Sequence, residues 1–110
     1  MTTMQPQIDN LVERARTAQR NYEASGTQEK FDRAAQAAAW ALMEPARNAE
    51  LAAFAVAETG LGNSADKITK NHRKTLGLLR DIKGQKSFGL VDDNPTSGVS
   101  EFLRPKGVVA

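Results

Sequence analysis

Residues 57–72 read Ala57-Glu58-Thr59-Gly60-Leu61-Gly62-Asn63-Ser64-Ala65-Asp66-Lys67-Ile68-Thr69-Lys70-Asn71-His72. An alanine-rich helix stops at Gly60, because glycine takes the left-handed conformation that commonly closes a helix, and Gly62 loosens the turn. Asn63 or Ser64 can then cap a second helix, with Asp66 placed in its first turn where the helix dipole favours negative charge. The stretch therefore predicts a corner between an alanine-rich helix and a basic one.

Downstream of the corner, Ile68, His72, Leu76, Leu79 and Ile82 recur at helical spacing, so a helix is expected over 64–83, ended by Gly84. From Lys67 to Lys86 the chain carries seven basic residues (Lys67, Lys70, Arg73, Lys74, Arg80, Lys83 and Lys86) against the single acid Asp81. Upstream, a helix is expected over 46–59, with Leu51, Phe54, Ala55 and Glu58 along one side and Ala49, Ala52, Ala53 and Ala57 admitting close neighbours. Pro45 removes a backbone donor and marks a break or a fresh start before it.

A helix over 28–43 precedes that break. It places Phe31, Ala34, Ala35, Ala38 and Leu42 on one side and Trp40 with Met43 on the other. Apolar residues on two sides suit a helix between two layers, either within this bundle or against a part of a longer protein. The first helix is expected over 6–24. Pro6 lies in its first turn, Ile8, Leu11, Val12, Ala15, Ala18 and Tyr22 form its stripe, and Ser25-Gly26 closes it. Its mixed acidic and basic outer face is a solvated face and not a membrane-binding one.

After Gly84 the period changes from helix to strand. Strands are expected over 87–91 and 98–103, around the polar turn Asp92-Asp93-Asn94-Pro95-Thr96-Ser97, with a further strand beginning at 107–110. A lone two-stranded hairpin is marginal in water, so this one calls for a partner. The expected class is mainly α with a C-terminal β-hairpin, α+β as an isolated chain, forming a single incomplete domain over 1–110. The apolar ending Val108-Val109-Ala110 supports the expectation that these residues are the front of a larger protein.

The totals bound the chemistry. A chain of 110 residues buries only about two thirds of the surface its unfolded form exposes, so the core is modest. The net charge of +2 does not demand a polyanionic partner. With no cysteine and one histidine there is no disulfide, no thiolate nucleophile and no histidine-rich metal site. No apolar run is long enough to span a membrane, and the first residues lack a secretory pattern, so a cytoplasmic location is expected.

Each candidate site reduces to a structural role. The basic stretch has no interleaved aromatic or glycine-rich element for base stacking, which favours a solvated face. His72 falls on the packing side of its helix beside Ile68 and Leu79, with no acid at helical spacing to orient it as a base. Asp92 and Asp93 are adjacent and read as turn formers. Gly60-Leu61-Gly62 follows no strand and lacks the third glycine of a dinucleotide fingerprint. No catalytic, cofactor-binding or metal-binding residue is assigned.

Taken together, Glu58-Thr59-Gly60-Leu61-Gly62 and Asp66-Lys67-Ile68-Thr69-Lys70-Asn71-His72 resemble the amino-terminal region of the CoA-acylating aldehyde dehydrogenases. That group includes sulfoacetaldehyde dehydrogenase and the aldehyde-oxidising half of bifunctional aldehyde/alcohol dehydrogenases. Leu11-Val12-Glu13-Arg14-Ala15 is similar to the family's first helix, and Gly89-Leu90-Val91-Asp92-Asp93-Asn94-Pro95 with Gly98-Val99 to its turn and strand pair. Arg104-Pro105-Lys106-Gly107-Val108-Val109 is similar to the Pro-x-Gly-Val-Val signature where the cofactor domain proper begins.

The resemblance implies the amino-terminal part of an α/β dehydrogenase fold. It also implies an enzyme in which an aldehyde adds to a cysteine thiolate, hydride passes to NAD or NADP, and coenzyme A releases the acyl group. The nucleophile lies outside these residues, so the chain is expected to be inactive alone and to bind no cofactor alone. The implied partners are the remainder of the dehydrogenase chain and, through the hairpin region, further copies. With seven residues ahead of Ile8, a microcompartment-targeting helix is not indicated. The competing expectation is a self-standing helical module that binds an acidic partner or nucleic acid through 67–86.

Overall fold

The computed structural model describes residues 3–110. Four helices, α1 Gln5–Ala24, α2 Gln28–Met43, α3 Pro45–Thr59 and α4 Ser64–Ile82, are followed by strands β1 Gly89–Asn94 and β2 Val99–Leu103. The single domain expected from the length divides into two compact units, one of Met1–Lys30 with Lys86–Ala110 and the other of Phe31–Gln85. The division falls just inside α2.

In the second unit the α3–α4 corner forms as its residues dictate. Gly60 has φ 68° and its N–H reaches the Val56 carbonyl at 2.8 Å. Thr59 Oγ1 donates to the Ala55 carbonyl and accepts from the Leu61 N–H, which holds the chain as it leaves the helix. Asn63, and not Ser64, is the α4 cap: its Oδ1 accepts from the Asp66 N–H at 2.9 Å while its Nδ2 donates to the Asp66 carboxylate at 2.7 Å. Asp66 thus both supports the cap and occupies the positive end of α4.

The break between α2 and α3 is also built locally. Pro45 is the first residue of α3, where its missing N–H costs nothing. Glu44 is the cap, accepting from the Arg47 N–H at 2.8 Å and the Ala46 N–H at 3.1 Å.

The faces that pack differ from the expected stripes. Helices α3 and α4 meet through Asn48 and Ala52, the buried residues among those described, with Ala55 and Val56 half-buried beside them. Leu51, Phe54 and Glu58, expected along the packing side, are exposed. On α4, Ile68, Leu76 and Leu79 are half-buried as the stripe requires, but His72 and Ile82 are exposed, and Asn71 and Thr75 take part in their place. The reason is steric. A face of small side chains lets two helix backbones approach, so α4 settles on the alanine side of α3 and rotates to present short polar residues there. In α2, Phe31, Ala35 and Leu42 are half-buried, whereas Ala34, Ala38 and Trp40 are exposed.

In the other unit, α1 has Val12, Ala15 and Gln19 half-buried and Ile8 and Leu11 exposed. Gly107 and Val108 flank the same side of α1, sharing shallow depressions with Val12, Ala15 and Gln19. Gln28 at the start of α2 ties down the approach to the hairpin: its Oε1 accepts from the Ser87 N–H at 2.8 Å and its Nε2 donates to Ser87 Oγ at 3.1 Å.

The strands pair antiparallel with Leu90 opposite Phe102, Asp92 opposite Glu101, Asp93 opposite Ser100 and Asn94 opposite Val99, and a bulge at Val91. The turn is tighter than expected. Asn94 Oδ1 accepts from the N–H groups of Thr96 and Ser97, and the Gly98 N–H returns to the Asn94 carbonyl with φ 71°. Asp92 and Asp93 are therefore strand residues and not turn formers, because Asn94 alone supplies the side-chain turn. β1 accordingly begins at Gly89 and runs on to Asn94, instead of covering 87–91. Residues 107–110, expected to begin a further strand, pair with no strand among the described residues.

Candidate functional site

The most enclosed polar arrangement lies between α3 and α4. Asn48, only 3% exposed, donates from Nδ2 to the Ile68 carbonyl at 3.0 Å and accepts at Oδ1 from Asn71 Nδ2 at 2.9 Å. Both donors and the acceptor are satisfied inside the contact, so the pair fixes how the two helices meet and offers no group for chemistry. Sequence reasoning passed over both residues. The available signal was a lone asparagine within an alanine-rich helix face.

Glu44 also escaped sequence reasoning. Its carboxyl is held below the ordinary glutamate range by the Arg47 N–H first, then the Ala46 N–H, and more weakly by the Arg47 charge. That is the signature of a helix cap, which needs the ionised form, and not of a general acid.

Of the residues weighed from sequence, none converges with another. His72 is exposed on α4, and no acid accompanies it within hydrogen-bonding distance among the described residues. Asp93 accepts from Ser100 Oγ at 2.7 Å across the hairpin, while Asp92 faces Glu101. The Gly60–Gly62 turn leads into the α4 amino terminus, but Asp66 already fills that end with its own carboxylate, which disfavours a bound phosphate. Among the described residues, no group of three or more histidine, cysteine or acidic side chains is arranged to hold a metal ion. Among the described residues, no helix is long and apolar enough to cross a membrane.

What the second unit does offer is surface. An open cleft of about 370 Å³ runs between α2 and α4, floored by Ala35, Leu76, Leu79 and Ile82 with Asp32 and Arg80 at its rim. Trp40 is 60% exposed and Phe54 65%. Met43, expected beside Trp40, is half-buried. The hairpin likewise leaves Val99, Phe102 and Leu103 uncovered. These exposed apolar side chains can dock against a further surface.

Comparison with known proteins finds relatives along nearly the whole chain. It is 57% identical over 100 residues to the acylating sulfoacetaldehyde dehydrogenase of Cupriavidus necator, a match covering 91% of this chain and 20% of that enzyme. The chain is homologous to the amino-terminal segment of the acylating aldehyde dehydrogenases. The acylating sulfoacetaldehyde dehydrogenase of Bilophila wadsworthia is 41% identical over 109 residues, covering 99% of the chain and 22% of that enzyme. The bifunctional aldehyde-alcohol dehydrogenase AdhE of Escherichia coli is 37% identical over 103 residues, covering 94% of the chain and 11% of that enzyme.

The chain thus spans about a fifth of the length of the acylating sulfoacetaldehyde dehydrogenases it matches. No family model matches it, and no solved structure matches it. The family resemblance carried by the Gly60 corner and the Pro105–Val109 segment is borne out, as is the class of four helices with a C-terminal hairpin.

Proposed function

We propose that these residues are the amino-terminal portion of an NAD(P)-dependent, CoA-acylating aldehyde dehydrogenase, and that they are inactive by themselves. The observation that carries this reading is the 57% identity to an acylating sulfoacetaldehyde dehydrogenase, running along nearly the whole chain. The absence of cysteine supports the second half, because the thiolate that would take up the aldehyde must lie elsewhere.

The residues present do not fit either cofactor. The only paired glycines sit between two helices and not after a strand, and the helix they precede is closed by Asn63 and Asp66. No catalytic step is assigned to any residue of this chain. Its role in the proposed enzyme is architectural. Trp40 and Phe54 are covered by the remainder of the dehydrogenase, and the hairpin, unstable as two strands, takes its partners in a homo-oligomer. Sulfoacetaldehyde is the first aldehyde to test, since the relatives at 57% and 41% identity are named for it. A cytoplasmic location is part of the same proposal.

Sequencing the gene beyond the codon for Ala110 tests the reading directly. Continuation into dehydrogenase-like sequence with a cysteine nucleophile is expected; an intact stop followed by none in any frame overturns it. A matching assay follows thioester formation from sulfoacetaldehyde with coenzyme A and NAD or NADP. The chain alone is expected to show none, and turnover by the chain alone would refute its inactivity.

A further inference from the structure

Glycine inside a helix costs about 1 kcal/mol relative to alanine, so a mid-helix glycine calls for a reason. Gly77 lies in the interior of α4, and a Cβ built on it meets nothing within 4 Å. No described residue therefore requires glycine at this position. The reason is to be sought in something that approaches α4 from outside.

The surroundings of Gly77 indicate its chemistry. At 100° per residue, Lys70, Arg73, Lys74 and Arg80 all fall within about 60° of Gly77 around the helix, on the side away from Ile68 and Leu79. All four are exposed. None has a side-chain hydrogen bond or ion pair among the described residues. Two acids share the stripe, Asp66 towards its beginning and Asp81 towards its end. Asp66, Thr69, Lys70, Arg73 and Lys74 border a shallow depression on this face.

We propose that the outer face of α4 is a docking surface for an acidic helix of a protein partner. The partner's carboxylates face Lys70, Arg73 and Lys74, and its backbone closes on α4 at Gly77, where the missing side chain permits a short interaxial distance. A nucleic acid suits the face less well. Its evenly spaced phosphates would meet Asp66 and Asp81 as well as the bases, and no aromatic side chain lies on the stripe to stack on. A second copy presenting the same face would set basic stripe against basic stripe. The proposal goes beyond the dehydrogenase reading and does not depend on it.

The test uses the full 110-residue chain and a fluorescently labelled, alanine-based helical peptide carrying a stripe of glutamates with a lysine near each end. Saturable binding at low salt, read by anisotropy and weakening as salt is raised, is expected. Gly77→Leu and Gly77→Gln leave the charge unchanged and are each expected to weaken binding at least tenfold, while circular dichroism shows helix content retained. Lys70→Glu combined with Lys74→Glu is expected to abolish it. Absence of binding to the unsubstituted chain overturns the proposal. So does unaltered affinity in both Gly77 variants, which would reduce the face to diffuse charge. Binding of a single-stranded oligothymidylate of equal charge as tightly as the peptide also overturns it.

Discussion

Asn71 on α4 donates from its side-chain Nδ2 to Asn48 Oδ1 on α3 at 2.9 Å, and Asn48 Nδ2 in turn donates to the Ile68 carbonyl one turn earlier on α4. The two asparagines are thus the polar centre of the α3–α4 contact, the closely packed helix pair among the described residues. A satisfied buried pair specifies register more than it adds stability, because shifting either helix leaves amide groups without partners.

Asn48→Ala is expected to destabilise the α3–α4 pair by about 1–3 kcal/mol, the range for leaving a buried polar partner unsatisfied. Replacing both Asn48 and Asn71 by leucine is expected to recover most of that loss, since no orphaned amide remains. Urea titration followed by circular dichroism checks both. Equal losses in the single and double variants would contradict the account.

The same substitution is expected to act with opposite sign at two glycines. Gly60→Ala forces a Cβ into a left-handed residue at φ 68° and is expected to cost about 1 kcal/mol. Gly77→Ala enters open space in a regular helix and is expected to stabilise by about 0.5–1 kcal/mol. The shift in the thermal midpoint of each variant is the measurement.

Glu44 links the α2–α3 junction to pH. Because its folded-state carboxyl lies below the ordinary value of 4.5, its stabilising contribution is fully present above that value and is lost as pH falls through the lower folded one. Glu44→Gln is expected to lower the thermal midpoint at neutral pH and to flatten its decline between neutral pH and about pH 3, near and below the usual glutamate range. Parallel pH profiles for the two proteins would remove Glu44 as the linked group.

Trp40 is the only tryptophan and is mostly exposed, so it reports directly on what covers α2. In the 110-residue chain its emission is expected near that of free indole in water, with ready quenching by acrylamide. The chain itself is expected to melt broadly or to associate, given how much apolar surface it leaves open. Extension into the proposed dehydrogenase is expected to shift the emission to the blue and protect it from quencher. A sharp, monomeric two-state transition of the short chain would count against missing cover.

The sequence by itself determined where each helix begins and ends, because those signals are local. Gly60 and Asn63 at the corner, Pro45 at the second junction and Ser25-Gly26 after α1 act through their own backbone or the next few residues, and the observed bounds differ from expectation by a residue at most. It also carried the resemblance to the acylating aldehyde dehydrogenases, through the order and spacing of short stretches from Leu11 to Val109, and it ruled out a cysteine nucleophile within the chain. Only the tertiary structure decided which faces meet. Periodicity put Leu51, Phe54 and His72 in the contact, yet the helices meet through Asn48, Ala52 and Asn71. Strand limits likewise waited on the Asn94 turn and the Val91 bulge, which depend on cross-strand register. Apolar spacing marks the sides that can be buried, whereas the side that is buried follows from how closely two backbones can approach, and that is a property of both helices together.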